Sequence, residues 1–272
     1  MRPFADFVRE RKYLKNVSPR TIEFYWDCQK SVLRFGDFTD EGLKQWIVGS
    51  REAGISPASI NTRITGINAY LRWCGENYKL PFLKEPERVL PTVAPADVAK
   101  LVRHKPHGRC ERRIHTLALT LVDTGARIEE LLTISRLDVD LDNLLLKLRG
   151  KGDRERIVPF SIELRRILFR YIQSHPHQLV FCTRDGGRLM RRNVLRDFKR
   201  LCQTSGFPAP RRAIHSLRHT FALNYIRNGG SVFHLQQALG HSTLDMSRRY
   251  ANLQTDDLQR MQQRVSILNK LR

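Results

Sequence analysis

Hydrophobic residues in the first eighty positions recur with the period of an α-helix. Ile60, Ile64, Ile67 and Leu71 follow one another at steps of four, three and four, so their side chains share one helix face. A serine and a proline at 56–57 precede them. That pair is typical of a helix start, because serine caps the first turn and proline needs no backbone N–H there. The pattern predicts an amphipathic helix that begins near residue 57.

Three further segments of this region have helical patterns. A second serine–proline pair at 18–19 precedes apolar residues that lie largely on one face. The segments around Phe4–Leu14 and Glu41–Arg51 complete the set. The first eighty residues therefore predict a bundle of about four short helices, and no residue in them suggests catalysis.

A proline-rich segment follows the predicted bundle. Four prolines lie within residues 81–95, and proline resists both a helix interior and a central strand. We interpret this segment as a linker. The sequence then predicts a helical domain at 1–83, a linker at 84–92 and a larger domain at 93–272.

The larger domain combines helices with a few strands. Helical patterns cover 96–104, 114–122 and most of the chain after Asn193. A Thr-Gly-Ala break at 124–126 ends one helix, and a new helical pattern starts at Arg127.

Two short segments, Leu144–Leu148 and Arg154–Val158, are expected to pair as strands. Gly-Lys-Gly-Asp at 150–153 joins them and is typical of a hairpin turn. Leu179–Cys182 is a candidate third strand. The chain as a whole is predicted to be mainly α with a small antiparallel β-sheet, and its second domain to be α+β.

Composition narrows the class of protein. The 272 residues include 48 Lys and Arg against 27 Asp and Glu, a formal net charge of +21, and 41% are hydrophobic, enough for a folded core. Apolar runs are too short for a membrane span, and five scattered cysteines argue against a disulfide scaffold or zinc site. We expect a soluble cytoplasmic protein with a polyanionic partner, in the first place nucleic acid.

The excess positive charge is concentrated between residues 184 and 218, where ten basic residues face two acidic ones. Such a stretch suits a phosphate backbone, and its contacts would make binding depend steeply on salt. The candidates for DNA contact in this stretch are Arg184, Arg188, Arg191, Arg192, Arg196, Lys199, Arg200, Arg211 and Arg212. Arg63 and Arg72, on polar faces of the predicted bundle, are two more.

Four short patterns in the second domain indicate chemistry only when taken together. They are Thr-Gly-Ala-Arg-Ile-Glu-Glu at 124–130, Gly-Lys-Gly at 150–152, His-Ser-Leu-Arg-His at 215–219, and Leu-Gly-His-Ser at 239–242 followed by Tyr250. Each alone has an ordinary explanation, such as a surface ion pair or a polar helix face. Their joint occurrence in this order resembles the tyrosine recombinase (phage integrase) family, with compact Xer-type and mobile-element integrases most alike.

The resemblance spans roughly residues 92–255 and implies the rest of the architecture. The bundle is similar to the SAM-like core-binding domain of that family, and the second domain to its catalytic domain. The implied activity is site-specific recombination or integration, in which DNA strands are cut and rejoined through a 3′-phosphotyrosyl intermediate. No metal or other cofactor is implied. The implied partner is a double-stranded recombination site, bound by a homotetramer or by paired recombinases on two duplexes.

The resemblance also assigns roles to single residues. Arg127 and Arg218 match the arginine pair of the family, and two guanidinium forks can grip a phosphate and stabilise its transition-state charge. Tyr250 matches the nucleophile, whose phenolate a cationic site favours. His215 and His241 match histidines that tune proton transfer and bond the phosphate.

Two further matches complete the site. Lys151 on the hairpin matches the general acid that protonates the leaving 5′ oxygen, and Glu130 matches an acidic residue that supports the site. After Tyr250, a narrow apolar stripe predicts a terminal helix at about 256–272. The resemblance implies docking of this helix into a neighbouring protomer, and packing on its own domain is the alternative.

Two other functions compete with recombination. A regulator that binds DNA without cutting it fits the fold, but the complete set of matched catalytic residues argues against it. A type IB topoisomerase would use the same chemistry to relax supercoils. The compact bundle and the terminal helix suit assembly on paired sites better. We expect a bacterial protein, associated with the nucleoid when bound to DNA.

Overall fold

The structure is a computed structural model that describes residues 2–86, 90–150 and 155–240. It divides the chain into two compact units, one within Met1–Arg88 and one within Val89–Arg272. Every helix in the described ranges is too short or too polar to serve as a membrane span.

The first unit is a bundle of short helices, as the hydrophobic pattern predicts. The helices are α1 (Phe4–Tyr13), α2 (Pro19–Leu33), α3 (Asp40–Glu52) and α4 (Pro57–Cys74). Both serine–proline pairs start a helix, because the hydroxyl oxygens of Ser18 and Ser56 accept hydrogen bonds from the backbone N–H groups of Thr21 and Ser59. On the inner face of α4, Ile60, Ile64, Ile67 and Leu71 are at most 1% exposed and belong to the core that Trp46 also fills.

The segment after the bundle is tied to α4 by two asparagines. The side-chain amide of Asn68 donates to the carbonyl of Leu80 at 3.0 Å, and its oxygen accepts from the Leu80 N–H at 2.8 Å. Asn61 makes the same pair of bonds with Leu83, at 2.8 and 2.7 Å. Each asparagine thus satisfies the backbone of an extended segment that no neighbouring strand pairs.

The second unit is built round one central helix. Its helices are α5 (Pro95–Arg103), α6 (Gly108–Thr124), α7 (Ile128–Leu131), α8 (Ile162–Gln173), α9 (Arg191–Thr204), α10 (Ala213–Arg227) and α11 (Val232–Leu239). The apolar face of α6 packs against α8, α9 and α10, with Leu117, Ala118 and Leu121 at most 1% exposed. The apolar contact between α6 and α10 brings the end of α6, at Thr124, near the helix that carries His215 and Arg218.

The sheet is small and antiparallel, with strands β1 (Val139–Asp140), β2 (Leu145–Arg149) and β3 (Glu155–Pro159) in that order. The predicted hairpin of β2 and β3 is present, and with it the mainly α fold with a small antiparallel sheet is confirmed.

The prediction of a third strand at Leu179–Cys182 is wrong. That segment makes only isolated bridges, Ser135 with Leu179 and Cys182 with Arg188, and β1 takes the third place in the sheet. The apolar run serves burial instead, since Phe181 is 1% exposed in the core. A short apolar run signals burial, and the pattern alone does not tell a strand from an irregular core segment.

The Thr-Gly-Ala break at 124–126 ends α6 and aims the next residues. Gly125 has a left-handed backbone with φ +62°, which glycine adopts readily. A Cβ at Gly125 would overlap the ring of Phe221 and lie 2.8 Å from Leu239 Cδ2. Glycine is therefore required here for two reasons, which are its left-handed backbone conformation and the close packing of α10 and α11 round it.

Replacing Gly125 tests whether close packing requires a glycine at this position in addition to its left-handed backbone. We expect Gly125→Ala to destabilise the second unit by at least ~2 kcal/mol more than Gly206→Ala, because overpacking adds to the left-handed penalty of about 1–2 kcal/mol. Gly206 is a matched control, since its φ is +78° and no atom lies within 4 Å of a Cβ there.

Urea unfolding separates the two units. All three tryptophans lie in the bundle, so fluorescence follows the first unit while far-ultraviolet circular dichroism follows both. Equal shifts for the two variants would contradict the packing requirement.

Candidate active site

A buried carboxylate holds the first of the matched arginines in place. Glu130 lies in α7 with its side chain 2% exposed. Its Oε2 accepts from the backbone N–H of Arg127 at 2.7 Å, and its Oε1 accepts from Arg127 Nη1 at 3.0 Å. Arg127 is the residue before α7, with an extended backbone, so its side chain leaves the helix start instead of lying along a helix face. One carboxylate therefore fixes both the backbone and the guanidinium of Arg127.

A second arginine, Arg156 of β3, binds the same carboxylate. Its Nη2 donates to Glu130 Oε2 at 2.7 Å, and its Nη1 donates to Oε1, which gives a bidentate ion pair. Burial alone would raise the pKa of the Glu130 carboxyl. The hydrogen bonds and charge of Arg156, with those of Arg127, more than offset this and hold its pKa below the ordinary value.

Arg218 of α10 is 9% exposed and is held by backbone carbonyls. Its Nη1 donates to the carbonyl of Gly125 at 2.6 Å, and its Nη2 to that of Leu239 at 2.8 Å. The break after α6 thus supplies one acceptor and the end of α11 the other. Thr220 of the same helix accepts a hydrogen bond from the backbone N–H of Val93 at 2.8 Å. This bond attaches the start of the second unit to α10.

The carboxyl-terminal end of α11 accepts one hydrogen bond from each of three arginines. Arg156 Nε donates to the carbonyl of Ala238 at 3.0 Å, Arg218 to that of Leu239, and Arg127 Nη2 to that of Gly240 at 2.6 Å. The last carbonyls of a helix have no partner within it and carry the negative end of its dipole, so guanidinium groups stabilise them. The two matched arginines are thereby brought to successive residues of one helix end.

His215 lies one turn before Arg218 on α10. Arg191, the first residue of α9, donates from Nη2 to His215 Nε2 at 2.9 Å. A guanidinium only donates, so Nε2 accepts, and the ring is neutral with its proton on Nδ1. Packing round the ring and the positive charges of Arg191, Arg218 and Arg212 lower the pKa of His215, in agreement with this assignment.

The neighbouring His219 has the larger shift. Burial, followed by the repulsion that a protonated His215, Arg212 and Arg218 would exert on its cation, lowers the pKa of His219 to about 4. This ring is neutral at pH 7, so the charge on this face of α10 comes from the arginines. Within the described ranges, no three His, Cys, Asp or Glu side chains converge as a metal site would require.

The structure thus brings together Arg127, Glu130 and Arg218, with His215 one turn from Arg218. Three matched residues, Lys151, His241 and Tyr250, and the proposed terminal helix at 256–272 lie outside the described residues.

Arg156 is the residue that the sequence analysis missed. Its signal is the alternation along β3, where Arg156 lies on the same side as buried Val158 while Ile157 is 64% exposed. A charged residue in phase with the buried positions of a strand indicates a buried ionic partner.

The candidates for DNA contact are almost all at the surface. Arg63 is half-buried near Cys28, and its charge opposes the rise that burial causes in the pKa of that thiol. Arg188 pairs with Glu129 at 3.2 Å. The exposed candidates are Arg72, Arg184, Arg188, Arg191, Arg192, Arg196, Lys199, Arg200, Arg211 and Arg212. Five of these lie on the outward face of α9, whose inward face buries Val194, Phe198 and Leu201.

Comparisons with known proteins show which family and which folds the chain is similar to. Residues 92–256 match the model of the phage integrase family. The chain is 29% identical to the tyrosine recombinase XerA of Thermococcus kodakarensis, over 95% of this chain and 93% of that protein. It is 25% identical to the tyrosine recombinase XerC of Chlamydia caviae, over 92% and 85%. Among solved structures, the Tn1549 transposon integrase in complex with circular intermediate DNA is similar to this chain with a TM-score of 0.78. The alignment has 19% sequence identity and covers 97% of this chain and 98% of that chain.

Removing the central carboxylate should have a large, pH-dependent effect on stability. We expect Glu130→Gln to cost about 3–5 kcal/mol at pH 7, because two guanidiniums lose their buried counter-charge. The folded-state pKa of Glu130 is depressed, so its contribution is complete above the unfolded value of about 4.3 and is lost as the pH falls through the folded value.

Unfolding by urea between pH 7 and pH 3 measures this difference. Glu129→Gln is the matched control, since Glu129 is 53% exposed in its surface pair with Arg188 and should cost less than ~1 kcal/mol. A difference between wild type and Glu130→Gln that stays constant down to pH 3 would contradict a depressed pKa.

Proposed function

The chain belongs to the phage integrase family, and we infer that it is a tyrosine-type site-specific DNA recombinase, which cuts and rejoins DNA strands. The observation that carries this inference is the pairing of Arg127 and Arg218 on successive carbonyls, those of Gly240 and Leu239. Two guanidiniums at one end of a helix provide the positive site that a phosphodiester needs. The residues that follow in sequence supply His241 and Tyr250.

We propose that Arg127 and Arg218 bind the non-bridging oxygens of the scissile phosphate. Charge on these oxygens grows as a nucleophile adds to phosphorus, and donors already in place stabilise it without reorganisation. The contacts of Arg127 and Arg218 with carbonyls and with Glu130 support this role, because they hold both groups in position before substrate binds.

In the proposed reaction, the phenolic oxygen of Tyr250 attacks phosphorus and the bond from phosphorus to the 5′ oxygen breaks. The 3′ phosphate is left esterified to Tyr250, and Lys151 gives a proton to the departing 5′ oxygen. The phenol proton is lost to solvent, and His215 and His241 are proposed to tune this transfer. His215 is not assigned as the base, because its Nε2 lone pair accepts from Arg191 and its pKa is lowered. Rejoining is the reverse reaction with a 5′ hydroxyl from another strand. The phosphotyrosyl ester conserves the bond energy, so no ATP is needed.

The basic surface supports a double-stranded partner. A duplex is proposed to lie along the outward face of α9, with affinity that falls steeply as salt rises. Arg72 of the bundle stays a separate candidate for DNA contact. Recombination joins two sites, so we propose a homotetramer, or paired recombinases, on two duplexes, with residues 256–272 of one protomer docked on the next. The proposed place of action is DNA in the cytoplasm.

A suicide substrate tests the covalent step. The target site is first mapped as the position of adducts on DNA flanking the gene, and a duplex nicked beside that position is then used. We expect a protein–DNA adduct that survives detergent, is absent for Tyr250→Phe and forms undiminished in EDTA. Strict dependence on magnesium would contradict the metal-free step, and relaxation of a plasmid without the site would favour a topoisomerase.

The arginine pair is tested with the same substrate. Arg127→Ala and Arg218→Ala should each reduce adduct formation at least ~100-fold at saturating DNA while binding changes little. Arg165→Ala is the control, because it removes the same charge from the exposed side of α8. Severe loss of binding by the two variants, with the fold retained, would mean that these arginines mainly position DNA.

Deleting residues 256–272 tests the assembly. We expect the shortened chain to bind a single site and to lose cooperative assembly on paired sites, because the docking segment is gone. Gel mobility on one-site and two-site duplexes measures this. Intact cooperative assembly of the folded, shortened chain would exclude docking between protomers.

A further inference from the structure

Arg156 makes more contacts at the site than its place in a hairpin strand requires. Its side chain is 13% exposed, and three of its nitrogens donate, two to Glu130 and one to the carbonyl of Ala238. The side chain of an arginine in a short surface hairpin ordinarily extends into solvent. Here the side chain spans from β3 to α7 and to the end of α11, so three elements meet on one guanidinium.

The charges of this cluster do not balance within it. Glu130 supplies one negative charge, while Arg127 and Arg156 supply two positive ones. Arg156 meets both carboxylate oxygens, whereas the side chain of Arg127 meets one of them and is 39% exposed. The carboxylate is therefore compensated mainly by Arg156, and Arg127, the more exposed of the two arginines, leaves the cluster with a net positive charge.

Gly240, Arg156 and Arg127 are packed closely against one another. A Cβ on Gly240 would lie 3.1 Å from Arg156 Cδ and 3.2 Å from Arg127 Nη1. Gly240 has φ +61°, so its left-handed backbone turns the chain directly against both arginines. A shift of Arg156 would thus move the end of α11, and with it the carbonyl that Arg127 binds.

We propose that Arg156 is a positioning residue for DNA cleavage, which takes up the charge of Glu130 so that Arg127 remains a full cation toward the scissile phosphate. The inference rests on the proposed function. Arg156 touches neither the phosphate nor the nucleophile in this scheme and acts through Arg127. Without Arg156, Glu130 would neutralise Arg127, and the growing charge on the phosphate would lose part of its counter-charge.

The test compares a charged with a neutral scissile group. Single-turnover adduct formation is measured on the suicide substrate with a normal phosphate and with a methylphosphonate, which has one non-bridging oxygen replaced by methyl and no negative charge. We expect Arg156→Gln to lower the maximal rate about 100-fold on the phosphate and less than about tenfold on the methylphosphonate, with half-saturating DNA concentration unchanged. Arg127→Lys should show the same selectivity.

Two variants serve as controls for charge and for stability. Arg156→Lys keeps the charge but loses the bidentate geometry, so it should recover most of the loss specific to the phosphate. The double variant Glu130→Gln, Arg156→Gln removes both charges, leaves no carboxylate to neutralise Arg127, and should regain at least about tenfold of the rate on the phosphate. Arg165→Lys controls for an arginine replaced elsewhere in the unit.

The outcomes separate the proposal from simpler explanations. Equal losses on the two substrates for Arg156→Gln would show a structural role alone and overturn the proposal, as would an unchanged rate. If Arg156→Gln does not fold, the double variant Glu130→Gln, Arg156→Gln is used instead. A loss of rate in the double variant that is larger on the phosphate than on the methylphosphonate would overturn the proposal. Failure of the wild-type chain to form any adduct would instead refute the proposed function.

Discussion

The second unit depends on the contact between arginine side chains and the last carbonyls of α11. Ala238, Leu239 and Gly240 each present a carbonyl that the helix itself does not satisfy, and each accepts from a different arginine. These donors come from β3, α10 and the residue before α7, which are far apart in sequence. The helix end therefore holds three arginines from distant parts of the chain close to one another.

The buried carboxylate of Glu130 is the second half of the same arrangement. The guanidiniums of Arg127 and Arg156 lie close together, and the buried carboxylate of Glu130 supplies the counter-charge between them. A buried ion pair contributes less to stability than its geometry suggests, because desolvation opposes the attraction. Its value here is positional, since it fixes the direction of Arg127 before any substrate arrives.

The large positive charge of the chain serves two different purposes. Most of the basic residues that the structure describes lie at the surface, as on the outward face of α9, where they attract a polyanion over several ångströms. A few are held with little exposure and make directed hydrogen bonds, as Arg218 and Arg156 do. Net charge thus indicates the partner, whereas burial and hydrogen bonding distinguish the arginines that the fold holds in a fixed position.

Local signals in the sequence determined the helices, the hairpin and the matched residues. The serine–proline pairs, the steps of three and four in α4 and the glycine that ends α6 act within a few residues, so their outcome is visible in the chain itself. Only the tertiary structure decided that Leu179–Cys182 lies in the core without pairing as a strand, and that Arg156 joins the site. The physical reason is that burial and ion pairing in these cases depend on groups tens of residues away, at Ser135 for the segment and at Glu130 and Ala238 for the arginine.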